Sequence, residues 1–123
     1  MVKEYSSFSV APGANVNGEL TLGENTADNG GLRLALMALV NTIGAAGKSI
    51  DGFTPEQRLF LSFGQIWCEN AREEAERLQV QTNPHSPPRF RVNGVVENMP
   101  EFQKAFSCHA GQPMVSANAC RVW

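Results

Sequence analysis

The chain has 123 residues, 42% of them hydrophobic and 18% charged, with a formal net charge of −2. That length supports one modest core, and the composition is that of a folded chain rather than a disordered one. No basic run or patch stands out, which excludes a nucleic-acid footprint. The longest nearly apolar run, Leu34 to Val40, falls far short of the roughly 20 residues that a membrane span needs.

Met1 to Gly18 is rich in Ser, Gly, Asn and Pro and reads as an irregular lead-in. Met1 to Tyr5, with Lys3 and Glu4, lacks the apolar stretch of a signal peptide. Leu20 to Ile43 predicts the main helix, because Leu32, Ala35, Leu36, Leu39, Val40 and Ile43 recur at helical spacing. Leu34 and Met37 lie on another side, so this helix is expected deep in a core, ended by Gly44 and Gly47. Gly52 marks a turn. Thr54, Pro55 and Gln57 predict the N-cap, first position and capping box of a second helix. Its apolar stripe is Leu59, Phe60, Phe63, Ile66 and Trp67.

The charged stretch Glu69 to Gln79 either continues that helix or begins a short separate one. Pro84, Pro87 and Pro88 exclude helix from Thr82 to Pro88. Phe90 to Val96 is strand-like, and Asn93-Gly94 suits a hairpin turn. Pro100 to Phe106 reads as a short helix, and Ser107 to Trp123 as irregular. The expected fold is mainly α: three helices, little strand and long structured loops, in one domain spanning 1–123.

Glu24 and Asp28 share a helical sector with Leu32, Ala35 and Leu39. Like charges at this spacing cost about 0.2–0.5 kcal/mol, and burying them without a partner costs several kcal/mol more. No cation sits three or four positions from Glu24. Either the first turn is exposed and both acids are solvated, or a metal ion, an imidazole or an Arg reaches them from outside the helix.

His85 sits in a loop stiffened by Pro84, Pro87 and Pro88. A rigid imidazole near an acidic site suits an oxyanion donor; the alternative is a surface histidine. Arg89 and Arg91, two apart in an extended stretch, are expected on one side with Phe90 on the other. An Arg fork suits a peptide carbonyl or a carboxylate; a solvated strand face is the alternative. A catalytic zinc takes three protein ligands. With no HExxH and only His85 and His109, the chain cannot build the usual two-His, one-Glu site alone. Cys68, Cys108 and Cys120 are odd in number and show no CxxC spacing. They are reduced thiols or, in a secreted protein, at least one has its partner elsewhere.

The segment from Asn17 to Leu32 (NGELTLGENTADNGGL) stands beside Phe63 to Cys68 (FGQIWC), His85 to Arg91 (HSPPRFR) and the terminal Cys120-Arg121-Val122-Trp123. Together they resemble the family of neprilysin and endothelin-converting enzyme, zinc metalloendopeptidases with a thermolysin-like (gluzincin) core. The resemblance covers nearly the whole chain. Thr26 departs from the aliphatic residue more usual at its position, and Glu69 to Thr82 carries no diagnostic residue.

The resemblance implies the C-terminal, mainly helical part of a peptidase catalytic domain. It implies that Glu24 is the third zinc ligand and that Asp28 orients a zinc-bound histidine. By the same likeness His85 stabilises the tetrahedral intermediate, Arg91 holds a substrate backbone carbonyl, and Ile66 and Trp67 wall an S1′ pocket. It implies disulfide partners upstream of this chain for Cys68, Cys108 and Cys120. One zinc ion is implied, with its other two ligands on an upstream HExxH segment, together with peptide substrates and an extracellular or cell-surface location. The expected function is part of a zinc metalloendopeptidase that is inactive on its own. The alternatives are a non-catalytic interaction module keeping this fold and a stand-alone helical domain without metal.

Overall fold

The computed structural model describes residues 1–43 and 47–122. In chain order they form α1 (Val2–Tyr5), β1 (Ser9–Ala11), β2 (Ala14–Asn15), α2 (Leu22–Ile43), α3 (Pro55–Ile66), α4 (Glu73–Thr82), α5 (Pro88–Val96) and α6 (Pro100–Ala105). The mainly α expectation therefore holds, with more helices than the three predicted. The lead-in is not irregular: it holds α1 and an antiparallel β1–β2 hairpin, in which Ala11 faces Ala14.

The long helix α2 ends at Ile43. Gly44, named as its terminator, and Trp123 lie outside the described residues. At α3 the predicted capping box is present. Thr54 Oγ1 accepts from the Gln57 N–H, and Gln57 Oε1 accepts from the Thr54 N–H. Gly52 turns the chain ahead of it with φ of 83°, a left-handed conformation that glycine adopts without strain. The charged stretch forms a separate helix, α4, which runs through Thr82, so the non-helical loop begins at Asn83.

The clearest departure is α5. Phe90 to Val96 is helix, not a hairpin. Pro88 occupies a first-turn position where its missing N–H costs nothing, and the N–H groups of Phe90 and Arg91 both donate to Pro87 O. The strand propensity of Phe90, Val92, Val95 and Val96 yields to packing: Val95 and Val96 are buried against Leu32, Leu36, Phe60 and Met99. Gly94 is not a turn residue. It lets α1 approach, since a Cβ there would lie 2.8 Å from the Tyr5 ring and 2.9 Å from Phe8.

Two apolar clusters result. The larger joins α2, α3 and α5 and is flanked by Phe102 and Phe106. The smaller gathers Tyr5, Ala11, Ala14, Val16 and Val80, with Phe8 stacked on Phe90 at 4.8 Å. The Arg33–Glu101 ion pair, at 3.0 Å, ties α6 to α2. The expectation that α2 lies deep in a core is not met within this chain. Leu32 and Leu36 are buried, but Leu34, Met37 and Val40 are about half exposed. Among the described residues, no helix is long and apolar enough to cross a membrane.

Candidate functional site

The first two turns of α2 carry two side-by-side faces. One is buried and polar: Asn25 and Asn29, continuing from Thr21 just ahead of the helix. Thr21 Oγ1 donates to Asn17 O at 2.9 Å, and Asn25 Nδ2 donates to Thr21 Oγ1 at 2.8 Å. Asn29 Nδ2 donates to Asn25 O at 3.0 Å. The other face carries Glu24 and Asp28, and each meets a basic side chain from the segment following α4.

Glu24 Oε2 lies 3.1 Å from His85 Nε2, both side chains being a little over two-fifths exposed. Asn83 Oδ1 accepts from the His85 backbone N–H at 2.9 Å, which fixes the amide with its oxygen towards the ring, and it also lies 3.0 Å from Nδ1. Both ring nitrogens thus face oxygen acceptors. Next to it, Ser86 Oγ donates to Asn25 Oδ1 at 2.8 Å.

Asp28 and Arg91 form a bidentate pair: Nε to Oδ2 at 2.6 Å and Nη2 to Oδ1 at 2.7 Å, with only 11% and 13% of the side chains exposed. The guanidinium also lies over the Trp67 ring, 3.9 Å from its centroid. Because α5 is helical, Arg89 and Arg91 do not share a side. Arg89 turns away to Ser9 O, at 3.0 Å. The expected common arginine face is therefore absent.

Ile66 and Trp67 lie at the end of α3. Ile66 is exposed, and Trp67 Nε1 is buried without a hydrogen-bond partner among the described residues. Ile66 borders two depressions. One, of about 310 Å³, runs between α2 and α3 past Ala27, Asp28, Leu32 and Phe63. The other, of about 290 Å³, is bounded by Trp67, His85 and Arg91. Glu24, Asp28, Ile66, Trp67, His85 and Arg91 are thus brought into one region. Cys68, Cys108 and Cys120 are free thiols, not joined to one another.

The donor set fits one carboxylate ligand of a metal, Glu24, and does not fit a complete centre. Among the described residues, no three His, Cys, Asp or Glu side chains converge on one point. Reading for titratable residues overlooked Thr21, Asn25 and Ser86. The signal was present in the spacing of Asn25 and Asn29, in register with Leu32 and Leu36.

The family model for peptidase family M13 matches residues 1–122. The chain belongs to that family. Endothelin-converting enzyme 1 of Homo sapiens is 44% identical over 127 residues, an alignment covering 100% of this chain and 16% of the relative. Neprilysin-3 of Drosophila melanogaster is 38% identical over 130 residues, again covering 100% of this chain and 16% of the relative. This M13 chain therefore spans about one-sixth of the length of those relatives. The crystal structure of the Mycobacterium tuberculosis zinc metalloprotease Zmp1 in complex with an inhibitor superposes with a TM-score of 0.92 at 35% identity, covering 99% of this chain and 20% of that one. A Haemonchus galactose-containing glycoprotein complex gives 0.81 at 36% identity, covering 98% and 21%. The chain thus has the mainly helical fold of one segment of Zmp1, within a thermolysin-like M13 architecture.

Proposed function

We propose that this chain is the C-terminal part of the catalytic domain of an M13 zinc metalloendopeptidase acting on oligopeptides, and that it is incompetent alone. The observation that carries the reading is the pairing of two acids one helical turn apart with two different basic side chains, Glu24 with His85 and Asp28 with Arg91. Asp28 in particular is nearly nine-tenths withdrawn from water, which a merely solvated helix start would not give.

In this reading Glu24 is the third ligand of one zinc ion, whose other ligands and general base come from an upstream HExxH segment. Zinc, when bound, supplies Lewis-acid polarisation of the scissile carbonyl. Asp28 orients a ligand histidine through the lone pairs that Arg91 leaves free. His85 donates from Nε2 to the oxyanion that develops at the attacked carbonyl. Arg91 uses Nε and Nη2 on Asp28 and keeps Nη1 for a substrate backbone carbonyl. Ile66 and Trp67 wall the pocket for a large apolar side chain. Cys68, Cys108 and Cys120 pair with upstream cysteines in an extracellular or cell-surface parent protein.

The test is a pair of assays with a fluorogenic peptide cleaved before an apolar residue. The chain alone, given zinc, is expected to show no chelator-sensitive turnover. Exchanged for the matching segment of human endothelin-converting enzyme 1, it is expected to support turnover, with zinc content and activity both lost in Glu24→Gln. Turnover by the isolated chain, or full zinc content in the Glu24→Gln chimaera, would overturn the reading.

A further inference from the structure

Glu24 and His85 are too exposed for their ion pair to hold itself in place. Such pairs contribute little and leave long side chains free to move. Their chain neighbours are in the opposite situation. Asn25 is 0% exposed and Ser86 1%, and Ser86 Oγ donates to Asn25 Oδ1 at 2.8 Å. We infer that the buried Asn25–Ser86 hydrogen bond sets the distance between Glu24 and His85, making Asn25 and Ser86 positioning residues of the site proposed above, on which this inference rests.

Three features make the bond directional. Asn25 Nδ2 is committed to Thr21 Oγ1, so Oδ1 must face the loop. Thr21 is itself buried and donates to Asn17 O, leaving its oxygen as acceptor. Ser86 is followed by buried Pro87, which restricts the backbone at Ser86. Because consecutive Cα atoms are about 3.8 Å apart, pinning residue 86 to residue 25 leaves residues 24 and 85 little freedom to separate. The Asp28–Arg91 pair holds α5 rather than the loop. Breaking the buried bond leaves an unpartnered carbonyl oxygen, so the loop has reason to move away.

The experiment uses the isotopically labelled 123-residue chain and the NMR cross-relaxation peak between the His85 ring protons and the Glu24 side-chain methylenes. Ser86→Ala is expected to lose this peak. Asn29→Ala, which removes another buried hydrogen bond of α2 but none to the loop, is expected to keep it. A full-strength peak in folded Ser86→Ala overturns the inference, and so does loss of the peak in both variants. If Ser86→Ala does not fold, Ser86→Cys replaces the hydroxyl with a nearly isosteric weak donor; a weakened peak there supports the inference and an unchanged one overturns it. Absence of the peak in the unsubstituted chain would overturn the Glu24–His85 pairing itself, a failure separable from the variant results.

Discussion

Asp28 and Arg91 meet through two parallel hydrogen bonds while nearly nine-tenths of each side chain is withdrawn from water. Removing one member strands the other charge in a low-dielectric setting. Asp28→Leu and Arg91→Met are each expected to destabilise the fold by about 3 kcal/mol. The double variant is expected to cost far less than their sum. Urea unfolding of the four proteins in this cycle checks it, and strictly additive losses would show that the pair is not coupled.

The indole of Trp67 supports the same guanidinium from its face. Trp67→Leu keeps apolar bulk and removes the π system, so it is expected to cost about 1–2 kcal/mol, more than Trp67→Phe. Equal losses for Leu and Phe, measured by denaturant midpoints at constant slope, would assign the effect to packing alone.

Glu97 gives the fold a pH dependence. Burial, the nearby Glu4 charge and a hydrogen bond to Glu4 push its carboxyl up from 4.5 to about 7. The folded chain therefore holds this proton more tightly than the unfolded chain does. The resulting stabilisation is complete below pH 4.5 and is lost as pH rises through about 7. Glu97 is only partly buried, so the expected change is only about 1 kcal/mol after allowance for screening. Glu97→Gln is expected to flatten the melting temperature between pH 5 and pH 8, to about the extent of that contribution. An unchanged slope would remove Glu97 from the account.

Gly94→Ala places a methyl group against the ring of Tyr5 and against Phe8. Tyr5 is fully buried and cannot retreat. A cost of about 1–3 kcal/mol is expected despite alanine's better helix propensity. A rise in melting temperature would mean that α1 yields easily.

Much of this molecule is written in local chemistry. The Thr54–Gln57 capping box and the α2 periodicity are short-range patterns, and the structure follows both. For Glu24 and Asp28 the charge and spacing left two outcomes open, solvated acids or partners reaching them from outside the helix. Which side chain meets which acid was not legible. That depends on α5 being a helix, which aims Arg91 at α2 and Arg89 at the β-hairpin. The segment Phe90 to Val96 misleads because its β-branched residues favour strands locally, while the deciding contacts, with Leu36 and Tyr5, are distant in sequence. Asn25 escaped notice because polar residues on a helix ordinarily face water. Here they line a buried stripe, satisfied by Thr21 and Ser86.

That stripe changes character along α2, from Asn25 and Asn29 to Leu32 and Leu36. Shape is set by directional bonds at one end of a single rod and cohesion by oily contacts at the other. Swapping aliphatics at the far end can therefore retune melting temperature while leaving the acidic end geometrically untouched.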